Sequence, residues 1–128
     1  MLKEFTINTP REGFIDITGH VSRILSQSQG NHSLCHVFIP HTTAGVTINE
    51  NADSDVVEDM LVALDHMVPK LAYKHDEGNS SAHVKASIIG SSVSVPISGK
   101  GLYLGTWQGI YLCEFDGPRR RRAIITII

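Results

Sequence analysis

Short apolar runs that alternate with polar residues at period two, each interrupted after a few positions by Gly, Pro, Ser or Asn, fill most of this 128-residue chain. Such runs build strands with one buried face, and short punctuation between them favours antiparallel neighbours over the long crossovers of a parallel sheet. Phe5 and Ile7 alternate with Glu4, Thr6 and Asn8, and a Pro10–Gly13 turn leads to Phe14-Ile15-Asp16. Leu34 to Ile39 is dense enough in apolar residues to be a strand buried on both faces, and Val46 to Glu50 alternates again. Val93, Val95 and Ile97 face one way and Ser92, Ser94 and Ser98 the other, before Gly99-Lys100-Gly101 turns the chain into Leu102-Tyr103-Leu104. Gln108 to Phe115 and Arg119 to Ile128 read as a hairpin around Asp116-Gly117-Pro118.

Helical spacing occurs in only a few places. Val21, Ile24 and Leu25 form one stripe between a Thr18 N-cap and a Gly30 stop. Asp55 and Glu58 open a second helix whose apolar face, Val56, Val57, Met60, Leu61, Leu64 and Met67, is expected in the core and which Pro69 ends. Asn79 or Ser80 caps a short third one that carries His83, Ala86 and Ser87 on one side. The expected fold is α+β: a largely antiparallel sheet with two or three helices, residues 1–128 forming a single compact domain.

With 41% hydrophobic residues and a formal charge of −2, the chain collapses without disulfide or metal staples. No apolar run approaches the roughly 18 residues of a membrane span. Met1 to Thr6 alternates charged and apolar residues, unlike a secretory signal, so a cytoplasmic location is expected. Cys35 and Cys113 fall inside strand patterns, form no Cys-x-x-Cys and read as reduced core thiols. The run Arg119 to Arg122 suggests nucleic acid, but 11 Lys+Arg stand against 13 Asp+Glu and no aromatics interleave the run. A phosphate or another anion on a small molecule is the better partner.

Among seven histidines, His41, His75 and His83 sit in polar, turn-adjacent places where loops on a sheet carry function. Neutral imidazoles bind divalent metals, and three protein ligands leave an open position suited to a Lewis acid or an activated water. Such a set accepts zinc, nickel, copper or iron, with zinc the first expectation. Glu50, Asp53 and Glu77 are the candidate catalytic carboxylates; Asp76 also lies close to the histidines in sequence. Arg119 and Arg121 share one face of the last strand and are candidate anion ligands, although a positively charged edge strand explains them equally well. Gly99-Lys100-Gly101 is a simple turn or a phosphate cradle. Trp107, the only tryptophan, is a pocket wall or a core residue.

Pro40-His41-Thr42-Thr43-Ala44, Asn49-Glu50-Asn51-Ala52-Asp53, His75-Asp76-Glu77-Gly78-Asn79-Ser80 with His83, and Gly105-Thr106-Trp107-Gln108 with Glu114-Phe115-Asp116-Gly117-Pro118-Arg119 together resemble the YjbQ family, the secondary thiamine-phosphate synthase proteins. The resemblance covers nearly the whole chain. It implies a homotrimer with pockets near subunit boundaries and a metal cluster at His41, His75 and His83. It also implies a weak thiamine-phosphate synthase activity, joining a pyrimidine diphosphate to a thiazole phosphate with release of diphosphate. On that reading a cation with Arg119 and Arg121 stabilises the leaving group, and Thr42, Glu50, Asn51 and Trp107 hold substrate. The alternatives are a metal-dependent hydrolase, in which Glu77 or Glu50 takes a proton from a His-bound water, and a non-catalytic trimeric anion-binding or scaffold protein. The four-arginine run is unusual against the family pattern.

Overall fold

The computed structural model describes every residue except Lys100, so the lysine of the Gly99-Lys100-Gly101 cradle lies outside the described residues. Among the described residues, eight strands and three helices follow in the order β1 (Leu2–Asn8), β2 (Gly13–Asp16), α1 (Thr18–Gln27), β3 (Leu34–Phe38), β4 (Ala44–Glu50), α2 (Ser54–Met67), α3 (Ser80–Ile89), β5 (Ser92–Ser98), β6 (Gly101–Leu102), β7 (Gln108–Glu114) and β8 (Arg120–Ile127). They form two antiparallel sheets, a five-stranded one ordered β1-β8-β3-β5-β6 and a three-stranded one ordered β2-β7-β4. The fold is α+β, as the alternation predicts.

β7 explains the layering. It is the middle strand of the smaller sheet, and its side chains alternate between two apolar clusters. Ile110 and Leu112 join Cys35, Val37, Val95, Ala123 and Ile125 of the larger sheet and Val21 and Leu25 of α1. Tyr111 and Cys113 turn the other way, onto Leu64 of α2 and Ala82 and Ala86 of α3. Burial pushes the Cys35 thiol up to about 11, and the Cys113 thiol higher still, as befits inert core thiols.

Several local expectations change in three dimensions. β7 and β8 are not a hairpin: β7 pairs with β2 and β4, while β8 pairs with β1 and β3 in the other sheet. β8 is therefore an interior strand, which removes the charged-edge explanation of its arginines. β3 buries Cys35 and Val37 but leaves Phe38 exposed, so one of its faces is covered and the other partly open. On α2 only Leu64 is buried; Val57 and Leu61 pack beside it, and Met67 is 67% exposed. The helix caps also shift. Asp53 caps α2 by accepting from the Asp55 amide at 2.9 Å, and α1 starts at Thr18, whose amide and hydroxyl both donate to Asp16. α1 ends before Gly30, with the Ser28 amide donating to the Leu25 carbonyl.

The chain passes between the two sheets at one corner three times: from β1 to β2, from β3 to β4 and from β7 to β8. Backbone bonds tie these crossings together. The Thr9 amide donates to the Arg119 carbonyl at 2.9 Å, the Phe115 amide to Thr43 at 3.2 Å and the Gly117 amide to Arg11 at 2.9 Å. A Cβ on Gly117 would lie 1.9 Å from the Pro10 carbonyl oxygen, so this approach requires glycine.

Candidate functional site

The corner is braced by a buried ion pair. Glu114, at the end of β7, is fully buried, and Arg121 of β8 is 4% exposed. Arg121 donates from Nε to Glu114 Oε1 at 2.7 Å and from Nη2 to Glu114 Oε2 and to Thr43 Oγ1 at 2.8 Å. Thr9 Oγ1 and the Asp116 amide donate to the same carboxylate. Burial alone would push the Glu114 carboxyl up, but the bonds from Arg121, Thr9 and the Asp116 amide outweigh it and hold the group below its ordinary value. The pair sets the spacing between sheets, because its partners come one from each.

An open cleft of about 420 Å³ lies over this brace, lined by Pro40, His41, Thr42, Thr43, His75, Glu77, Asn79, His83, Arg119 and Arg121. The β3–β4 crossing supplies His41 to Thr43, the segment before α3 supplies His75 to Asn79, α3 supplies His83, and the β7–β8 crossing supplies Arg119. His75 and His83 meet edge to face with ring centroids 5.7 Å apart. Arg119 is oriented by Asp116, donating from Nε to its carbonyl at 2.7 Å and from Nη2 to its carboxylate at 3.0 Å, with half of its side chain still in solvent. Burial pushes the Asp116 carboxyl up, but bonds from Asn79 and Arg119 more than compensate and keep it ionised.

His41 is held differently. Its Nε2 accepts the backbone amide of Arg122 at 2.9 Å. The β3–β8 pairing ends at Phe38 and Ile124, and two residues further along β8 the imidazole takes the place of a β3 carbonyl opposite the Arg122 amide. Burial lowers its pKa first, then the positive charges of Arg121 and Arg122; Glu114 opposes them and Arg119 adds to them. Three of the four charges that act on the ring, Arg121, Arg122 and Arg119, are positive.

The predicted site residues divide into two groups. His41, Thr42, His75, Glu77, His83, Arg119 and Arg121 share the cleft, although Arg121 spends its Nε and Nη2 on Glu114 and Thr43. Glu50, Asn51, Asp53 and Trp107 lie at the other end of the smaller sheet, where Glu50 pairs with Gln108 while Ala44 pairs with Glu114 near the cleft. Six steps along β4 separate these ends, about 20 Å at a rise of roughly 3.3 Å per residue. There the Asn51 amide donates to the Trp107 carbonyl at 2.9 Å, and the indole is 63% exposed. Within one chain, those four residues do not reach the histidines.

Thr9, Thr43, Asn79 and Glu114 also shape the corner and were not singled out by sequence reasoning as site residues. Glu114 carried a usable signal: a carboxylate inside an apolar strand must find a buried cation.

A two-sheet α+β scaffold whose strand crossings build a basic, histidine-lined cleft is the class that fold and geometry define. The chain belongs to the YjbQ family: residues 3–128 match the family model described as UPF0047 protein YjbQ-like. It is 45% identical to a UPF0047 protein of Methanocaldococcus jannaschii, covering 100% of this chain and 94% of that one. It is 47% identical to the UPF0047 protein YugU of Bacillus subtilis, covering 100% and 99%. A crystal structure of a YjbQ/UPF0047 protein from Clostridium acetobutylicum is similar at a TM-score of 0.95 and 52% identity, covering 98% of this chain and 99% of that one.

The metal cluster implied by the resemblance meets a geometric difficulty. Among the described residues, no group of three or more His, Cys, Asp or Glu side chains is placed to hold a metal ion. His75 and His83 are neighbours, but the His41 lone pair at Nε2 is committed to a strand amide. As a set of three, these histidines do not converge on one cation in this arrangement; His75 and His83 remain the pair that could share one. Among the described residues, no helix is long and apolar enough to cross a membrane.

Proposed function

We propose that the cleft binds a phosphorylated small molecule and that the protein is a cytoplasmic, homotrimeric transferase displacing diphosphate, the activity implied by its family resemblance. One observation carries the reading: the β3–β4 crossing, the segment before α3, α3, the β7–β8 crossing and β8 bring three histidines and two arginines into a single cleft. The half-exposed Arg119 fork, pre-oriented by Asp116, grips a phosphate oxygen. Arg121 contributes position and field, since its own charge is paired with Glu114. His75 and His83 line the same cleft and supply a proton to the departing diphosphate, while the thiazole ring nitrogen attacks through its lone pair and has no proton to give up. The homotrimer rests on the resemblance. The cytoplasmic assignment has the support of two free, buried thiols, Cys35 and Cys113.

Calorimetric titration with inorganic pyrophosphate, alongside a coupled assay of diphosphate release from the two thiamine precursors, tests the proposal. Pyrophosphate is expected to bind, and Arg119→Ala to weaken it about tenfold, the loss of a charge-assisted hydrogen bond. Absence of pyrophosphate binding at millimolar concentration, or of diphosphate release from the two precursors, would overturn it.

A metal-dependent hydrolase is the second reading, favoured by Glu77 lining the same cleft as His75 and His83. Zinc analysis of untagged protein, repeated on His75→Ala and His83→Ala, with a panel of phosphate esters, lactones and amides, separates the two. Stoichiometric zinc lost in both variants, together with ester turnover, selects the hydrolase.

A further inference from the structure

A strand amide can only donate a hydrogen bond. The atom that accepts from the Arg122 N–H, His41 Nε2, must therefore carry a lone pair, and a neutral ring with its lone pair on Nε2 has its proton on Nδ1. Arg122 sits inside β8, paired with Thr6 of β1, so its amide neither titrates nor swings away. Nδ1 makes no hydrogen bond among the described residues and is not among the sealed, unpartnered polar atoms, in a side chain that lines the cleft. The ring thus offers the cleft a fixed donor and no lone pair.

The geometry points to His41 as a tautomer-locked Nδ1–H donor that binds an oxyanion of the ligand, and not as a metal ligand. This deepens the phosphate-binding reading above and rests on it. Ligation through Nδ1 would need an imidazolate; ligation through Nε2 would need the ring to turn over and leave the Arg122 amide unpaired, a cost the strand would bear in full. The positive charges of Arg121 and Arg122 support the same assignment, because a neutral ring is the form that keeps its Nε2 bond. No proton leaves His41 in this role. It donates a hydrogen bond to an oxygen whose negative charge grows as diphosphate departs, as a preorganised dipole does, while Arg119 supplies the full charge.

The test is nitrogen-15 NMR of the histidine rings of the full-length protein, with the His41 signals assigned by comparison with His41→Asn, combined with pyrophosphate and zinc titrations. The expected result is an Nδ1–H ring in the free protein, an Nδ1 signal that moves with pyrophosphate, and His41 signals unchanged by zinc. His41→Asn should weaken pyrophosphate about tenfold and leave zinc uptake at the wild-type level. An Nε2–H ring, His41 signals displaced by zinc, or pyrophosphate affinity within twofold of wild type in His41→Asn would each overturn the assignment while the functional reading stands. If wild-type protein takes up no pyrophosphate, the functional reading fails and the oxyanion role fails with it, whatever the tautomer. The NMR arm uses unmodified protein, so poor folding of the variant does not decide the outcome.

Discussion

Glu114 and Arg121 each carry a large consequence, because each is buried and each is the other's counter-charge. Removing one partner leaves an uncompensated charge in a dry corner. Arg121→Met is therefore expected to cost about 3–5 kcal/mol in chemical denaturation, whereas replacing both residues by apolar ones of similar volume should cost clearly less. The pH dependence has a definite sign. The folded carboxyl of Glu114 lies below its unfolded value, so its contribution is full above the unfolded pKa and disappears as pH falls through the folded one. Melting curves recorded from neutral to acid should show this loss in the wild type and a weaker one in Glu114→Gln. Single residues were legible in the sequence where polarity broke a local pattern: His41, His75 and Glu77 in or beside turns and His83 near the start of a short helix, and all four line the cleft. The partner of Glu114 was not legible, because nothing local distinguishes Arg121, which points inward, from Arg120 and Arg122, which point out.

At the level of elements, strands were readable and their pairing was not. Period-two alternation says which face of β7 or β8 is apolar, but both segments have their hydrogen bonds satisfied by strands distant in sequence, and the intervening turn changes sheets. The close passage of Gly117 against Pro10 is part of that change of sheet. Gly117→Ala should destabilise by roughly 1–3 kcal/mol through overpacking, with the near-ultraviolet circular dichroism of the corner aromatics altered. Gly19→Ala, where an added Cβ meets nothing, serves as the control and should be neutral or stabilising. α2 illustrates the opposite limit. Its helical stripe is correct as a period, yet Met60, Leu64 and Met67 border an apolar cleft of about 270 Å³ with Phe14 and Ile89 in place of a filled core.

On the scale of the whole molecule, the candidate residues occupy two ends of one small sheet, and this separation yields a direct measurement. Trp107→Ala should change pyrophosphate affinity less than twofold if each chain's cleft works alone. A tenfold loss would instead place the exposed indole of one subunit against the cleft of another, within the expected homotrimer. Light scattering with and without chelator completes that comparison. A trimer that persists after chelation, with unchanged melting temperature, removes support from a metal-held scaffold.

The amino-acid order by itself determined the repertoire of this protein: α+β composition, strand faces, helix stripes and the chemically equipped turns, all of which follow from side-chain type and short-range periodicity. Tertiary structure alone decided which turns meet, that Glu114 neutralises Arg121, and that the Arg122 amide sets the proton on His41. Contacts of that kind join residues far apart in the chain, and their energy depends on burial and orientation, which local sequence does not encode.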